Sequence, residues 1–378
     1  MAGTRWTPRF DLSKTPREPF RFGWVVELDP LDPTSTPKKR TMLGRFKHEG
    51  ACVVLSPAGR VVAYSGDDER GDYIYRFVSR KRFRPGGTAA DRAHNLTLLD
   101  TGTLYVGRFV DEAEDPAPEY DGFLEWIPLT SDTESFEEGM SVADVLIETR
   151  FAGDQVGATR MDRPEDVEVN PVNGRVYAAL TNNANRGTVF PTDEANPLAE
   201  SQVRETPGGP LVTKTGNRNG YVLEIAPRRG NHANPRADWQ LMLVCGDPAA
   251  PETYFAGFPK DQVSPISCPD NVAFDRTGNL WISTDGNVLG SNDGLFATAV
   301  EGPQRGKVLQ FLTVPLGAET CGPLITGDDR TVFVAVQHPG ELEGATFENQ
   351  ASTWPHTERY PIPSVVASYR VNGQRIGR

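Results

Sequence analysis

Cys52-Val53-Val54-Leu55-Ser56-Pro57-Ala58-Gly59-Arg60-Val61-Val62-Ala63-Tyr64 sets two apolar, mostly β-branched runs on either side of a Pro/Gly turn. Proline presets one turn dihedral and glycine accepts left-handed backbone, so the stretch predicts a strand at 52–55, a turn at 56–60 and a second strand at 61–64. The loop Ser65-Gly66-Asp67-Asp68 and a third strand at 73–77 complete the unit.

The pattern returns further along the chain. From Glu165 it runs through strand 167–169, the turn Asn170-Pro171-Val172-Asn173-Gly174 and strand 176–180 to a closing strand at 221–225. From Asp270 it runs through 272–274, the turn Asp275-Arg276-Thr277-Gly278 and strand 280–283 to 307–311. From Glu319 it runs through the turn Gly327-Asp328-Asp329 and strand 332–336 to 365–371. Repeated units of this kind bury their faces against their neighbours, so the fold class expected is all-β, a β-propeller with loop and short helical insertions. A β-sandwich with long loops is the alternative. Residues 1–21 read as a polar N-terminal extension and 22–378 as the propeller domain.

Further strands are expected at 23–29, 104–110 and 123–129. A helix is expected within 136–157, a solvated loop at 111–120 and a flexible surface insertion at 192–219. Cys52 reads as core.

Composition narrows the function classes. With 37 Gly and 31 Pro among 378 residues, many short strands are favoured over long helices. The net charge of −12 repels phosphate backbones, so no nucleic-acid partner is expected. Residues 1–21 contain no apolar run of the kind a signal peptide needs, and no membrane span is expected. Cys52, Cys245, Cys268 and Cys321 form no CxxC pair, which argues against a zinc ribbon. Nucleophile-elbow, Walker and His-Glu-x-x-His motifs are absent.

Each repeat opens with an acid: Glu49, Glu165, Asp270 and Glu319. Taken singly, each reads better as a turn or cap residue satisfied by backbone N–H groups. Equivalent positions in successive blades converge on one rim of a propeller, however, and carboxylates gathered there repel one another unless a multivalent cation joins them. An oxygen-rich set suits calcium, magnesium, manganese or ferric iron. His48, Asp68, Asp166 and Asn271 lie beside these acids and add candidate ligands. Arg163 stands two residues before Glu165, suited to bidentate capture of phosphate or carboxylate or to an ion pair with Glu165 or Asp162. Pro164 biases its backbone towards an extended shape.

In these residues the chain resembles the PhoX-type alkaline phosphatases. The matching stretches are Phe46-Lys47-His48-Glu49-Gly50-Ala51, Tyr64-Ser65-Gly66-Asp67-Asp68 with Tyr73-Ile74-Tyr75, and Met161-Asp162-Arg163-Pro164-Glu165-Asp166-Val167-Glu168. Cys268-Pro269-Asp270-Asn271-Val272 and Glu319-Thr320-Cys321-Gly322-Pro323 extend the match. The resemblance implies a propeller with iron and calcium at its axis that hydrolyses phosphate monoesters, small phosphate esters being its substrates. It implies Glu49 and Glu165 as iron or calcium ligands, Asp68, Asp270, Asn271 and Glu319 completing the calcium shell, and Arg163 on the phosphate. It also implies a periplasmic or extracellular location.

Members of that family carry a cysteine bridging two irons in a Thr-Trp-x-x-Cys-Glu-Glu motif ahead of the segment matching Gly23-Trp24-Val25-Val26-Glu27. Residues 1–22 hold no such motif. The expectation is therefore the C-terminal part of a family member, a propeller incomplete at its N-terminal end. Its open strand edges would pair with another chain, and calcium is expected ahead of iron. A calcium-dependent lactonase-like hydrolase and a non-catalytic metal-binding propeller fragment are the competing functions.

Overall fold

The computed structural model describes residues 7–111, 120–356, 358 and 360–376. A short hairpin, β1 (Val26–Glu27) with β2 (Lys38–Lys39), is all that forms of the strand expected at 23–29. The first blade is β3 (Cys52–Leu55), β4 (Arg60–Gly66), β5 (Ile74–Arg82), β6 (Gly102–Asp111) and β7 (Asp121–Ser131), with α1 (Ala89–Asn95) between β5 and β6. Most of the loop expected at 111–120 lies outside the described residues. The helical insertion follows as two short pieces, α2 (Val142–Ile147) and α3 (Thr149–Gln155). Ser141 and Asp144 cap α2 reciprocally.

The second blade is β8 (Pro164–Val169), β9 (Val176–Leu180), β12 (Tyr221–Pro227) and β13 (Arg236–Val244), interrupted by the hairpin β10 (Glu200–Val203) and β11 (Val212–Thr215). That hairpin corrects the expectation of a flexible insertion at 192–219. Asn196, Ser201, Asn217 and Asn219 are buried there, and Asn217 Nδ2 donates to the buried Asp162. A polar sequence is thus held in place by hydrogen bonds rather than by apolar packing.

After β14 (Tyr254–Phe255), which pairs with β13, the third blade is β15 (Pro269–Phe274), β16 (Leu280–Thr284), β17 (Gly294–Thr298) and β18 (Leu309–Thr313). The segment expected as its third strand is therefore its fourth. The fourth blade is β19 (Glu319–Ile325), β20 (Thr331–Gln337) and β21 (Ser364–Tyr369).

The turn after each first strand closes in the same way. Ser56, Asn170, Asp275 and Thr326 each donate their N–H to a carbonyl across the turn, at 2.8 to 3.1 Å. Gly59, Gly174, Gly278 and Asp329 take left-handed φ values of 59 to 84° at matching positions. The core lies between blades. Val62 and Tyr64 join Val167, Val176 and Leu223; Tyr177 and Val222 join Leu280 and Phe296; Trp281 and Leu295 join Val332 and Val334. The sequence β3 to β21 is thus a four-blade stretch of propeller. β7 also pairs with β13, which fuses the first two blades into one ten-stranded sheet.

Cys52 corrects another expectation. On β3, Val53 and Leu55 face outwards and Cys52 is only partly covered. Leu324 on β19 and Val365 and Tyr369 on β21 are exposed as well. No helix among the described residues is long and apolar enough to cross a membrane.

Candidate metal centre

The second and third blades begin with the same backbone device. Arg163 and Cys268 each precede a proline, and each has φ of +54°. The extended shape expected of Arg163 is overruled by its surroundings. Its carbonyl accepts the Thr181 N–H at 3.1 Å, and the carbonyl of Cys268 accepts the Asp285 N–H at 3.0 Å. Left-handed backbone costs a residue with a side chain roughly 1–2 kcal/mol, which the ladder closure offsets. The register then shifts between Pro164 and Val167 and between Pro269 and Val272. A bulge of this kind re-aims side chains, here those of Glu165 and Asp270.

Glu49, Asp68 and Glu165 bring one ligand atom each to within 4.8 Å of one another. Asp270, Glu319 and Cys321 form a second such group. Arg163 joins the first: its Nε donates to Asp68 Oδ1 and its Nη2 pairs with Glu165 Oε1, both at 2.7 Å. In the second, Cys321 Sγ donates to Glu319 Oε1 at 2.8 Å, while Gln337 and His338 reach Oε2 at 2.9 Å.

The remaining sequence candidates stand differently. Asn271 Oδ1 accepts the Gly322 N–H at 2.7 Å, and its Nδ2 reaches Asp270 Oδ1 at 3.3 Å. Asp166, one blade earlier, accepts the Val272 N–H at 3.1 Å. Each clasps its blade to the next. His48 turns away from the carboxylates, stacking on Phe46 at 3.7 Å between centroids and bonding Ser65 Oγ and the Gly44 carbonyl. Asp67, next to Asp68, is fully buried and gripped by Arg150 of α3 through Nε at 2.7 Å and Nη2 at 2.5 Å.

Burial, and then the charges of Asp270 and Asp68, pushes Glu165 well above the usual carboxylate range. Burial followed by Glu319 and Asp285 does the same to Asp270, and Glu49, exposed at the surface of the group, is raised by partial desolvation and then by Asp68. Asp68 is buried too, but the Arg163 guanidinium outweighs that and holds it below its ordinary value.

The family model "Alkaline phosphatase PhoX" matches residues 2–340. The chain belongs to the PhoX alkaline phosphatase family. Among solved structures it is similar to Pseudomonas fluorescens PhoX in complex with vanadate, a transition-state analogue, at 38% identity and a TM-score of 0.82. The match covers 99% of this chain and 62% of that one, so the chain spans under two thirds of the solved relative. A protein of unknown function from Dyadobacter fermentans also matches, at 11% identity over 78% of this chain and 76% of that one, but its TM-score of 0.25 carries no argument. Comparison with curated proteins gives no match.

Two further residues of this PhoX-family chain face the same centre. Asp285 is the first residue after β16 and His338 the first after β20, as Asp68 is the second after β4. Burial and then Glu319 push Asp285 up to about 6. Their shared position after the second strand was the signal that could have singled them out. Carboxylates outnumber cationic groups here, and burial, then the charges of neighbouring acids, raises Glu49, Glu165, Asp270 and Asp285. That donor set fits a hard, oxygen-preferring cation such as calcium. The one thiol, Cys321, is driven far above its ordinary value by burial and by Glu319. It would have to ionise before it served iron.

Proposed function

We propose that this chain hydrolyses phosphate monoesters at a calcium cluster held by Glu49, Asp68, Glu165, Asp270 and Glu319. The observation that carries the reading is Arg163, whose guanidinium is fixed by Asp68 and Glu165 at the edge of the carboxylate groups. In the reaction a water oxygen bonds to phosphorus, the ester P–O bond breaks, and the alcohol departs with a proton. Bound cations would neutralise the phosphoryl oxygens and activate the water. Arg163 would bind the phosphoryl group and orient it for in-line attack. Asn271 would steady Asp270 and the edge of the fourth blade. Iron, the second candidate metal, would be held through Cys321 together with Asp270 and Glu319.

The test is release of inorganic phosphate from an aryl phosphate by calcium-loaded protein, with and without chelator. Activity that a chelator leaves untouched sinks the proposal. Metal analysis of the purified protein separates calcium alone from calcium with iron. Metal binding without turnover is the second reading. Phosphate release would exclude it.

A further inference from the structure

Between β20 and β21 the chain makes one long excursion, from His338 to Pro363. Two cavities open along it. The first, about 530 Å³, is lined by Asp285, Asn287, Asp293 and Glu319. The second, about 550 Å³, is lined by Ala345, Phe347, Tyr360, Pro361 and Pro363. His338, Glu341 and Leu342 line both, so the two cavities adjoin at these residues as a trough in two parts.

The trough changes character along its length. Its near end meets the metal centre, where His338 Nε2 lies 2.9 Å from Glu319 and the charge of Asp285 acts on Arg163. Its far end is apolar. Phe347 is 74% and Tyr360 55% exposed, with ring centroids 6.1 Å apart and planes at 37°. Rings left this open carry apolar surface that a ligand could cover. The bend at the junction is tight: a Cβ on Gly340 would lie 2.8 Å from Ser352 Cβ, so the excursion folds back on itself beside His338.

We infer that this trough holds the alcohol part of the substrate and selects an uncharged, apolar, aryl-type group. The inference rests on the phosphatase reading above and deepens it. The near end adjoins Arg163 through Asp285 and Glu319 through His338, so a phosphoryl group held by Arg163 would have the trough as its neighbour. Asp285, Asp293 and Glu341 along the near end repel a second phosphate, which disfavours nucleoside polyphosphates. The volume is that of a small-molecule pocket, and two open rings suit a third ring laid against them.

The experiment is titration calorimetry on calcium-loaded protein with three phosphonates that cannot be hydrolysed: methylphosphonate, 1-naphthylmethylphosphonate and 2-(trimethylammonio)ethylphosphonate. The naphthyl probe is expected to bind about tenfold more tightly than the methyl probe, as a ring stacked on aromatic neighbours gains about 1.4 kcal/mol. Phe347→Ala with Tyr360→Ala should abolish that advantage and leave methylphosphonate binding unchanged; Tyr360→Phe should keep it. Both rings are exposed, so the double variant retains the fold. Equal affinities, an advantage that survives the double variant, or preference for the ammonium probe overturns the inference. Turnover of 1-naphthyl phosphate is read separately. A binding advantage without turnover leaves the trough standing and sinks the phosphatase reading; turnover without the advantage sinks the trough alone. Failure of every phosphonate to bind overturns the trough, and absence of turnover beside it overturns the phosphatase reading as well.

Discussion

The second and third blades open with Arg163-Pro164-Glu165-Asp166-Val167 and Cys268-Pro269-Asp270-Asn271-Val272. The backbone is the same: a left-handed residue before proline, a carbonyl capped from the end of the second strand, and a bulge that re-aims the acid. The fourth residue is the clasp to the next blade in both. The first side chain differs most in kind, while the clasp is a carboxyl, Asp166, in one and an amide, Asn271, in the other. Arg163 sends a cation onto Asp68 and Glu165, whereas Cys268 buries a thiol against the carbonyls of Arg218 and Gly286 at 3.3 Å. The frame is structural and repeated; the chemistry is placed in it by one side chain.

That comparison breaks most visibly if the two positions are exchanged for alanine. Arg163→Ala should lower kcat/KM for phosphate esters by about 10²–10³, the scale of losing one preorganised donor to a transition-state anion. Cys268→Ala should leave kcat/KM within a few-fold and cost about 1–2 kcal/mol in chemical denaturation, as one buried side chain is trimmed. Equal losses of activity in the two variants would mean that Arg163 serves only the frame.

The approach of the preceding blade is the next point of difference. A Cβ on Gly66 would sit 2.3 Å from the carbonyl oxygens of Pro164 and Glu165. One blade on, Thr181 Oγ1 donates to the Pro269 carbonyl at 2.7 Å. Gly66→Ala should destabilise by about 1–3 kcal/mol through overpacking. Thr181→Val should cost about 1 kcal/mol for the hydrogen bond. Urea melts that reverse this order would show that the two contacts are not equivalent.

Calcium binding adds a pH test. Glu165 from the second blade and Asp270 from the third both have raised pKa values, and Asp285 titrates near 6. A cation needs the ionised forms, so affinity should tighten as pH rises through about 6 and continue to tighten above it, with protons released on binding. Calorimetry in buffers of different ionisation enthalpy reads that release, and pH-independent affinity would count against the carboxylate set.

The smallest effect separates the two clasps. Burial and then Glu168 push Asp166 up to about 7, whereas Asn271 carries no charge. A carboxyl raised above its unfolded value contributes stability at low pH that is lost as pH rises through about 7. Asp166→Asn should therefore raise Tm by a few degrees in alkaline buffer and leave it unchanged in acid. A uniform shift at both pH values would assign the effect to packing instead.

Much of this frame was legible in the residues, because turn chemistry is local. Gly59, Gly174, Gly278 and Asp329 marked the same turn in four units, and the acids that open the units fell into register with them, three of them inside the first strand rather than ahead of it. What was not legible depended on distant partners. The left-handed Arg163 is imposed by Thr181, and the order of the 192–219 insertion by Asp162 and Arg186. Asp285 and His338 sit in ordinary polar loops and reach the centre only because β16 and β20 end there. His48 looked like a ligand by adjacency, yet stacking on Phe46 turns it into the core.

The pairing of β7 with β13 along the outer edge has one more consequence. It joins the first two blades into one hydrogen-bonded unit, so hydrogen exchange is expected to open them together rather than blade by blade. Glu49, Asp68 and Glu165 all belong to that unit, whereas Asp270, Glu319 and Cys321 are divided between the third and fourth blades. One half of the centre therefore lies within a single sheet, and the other half exists only while two sheets stay packed against each other.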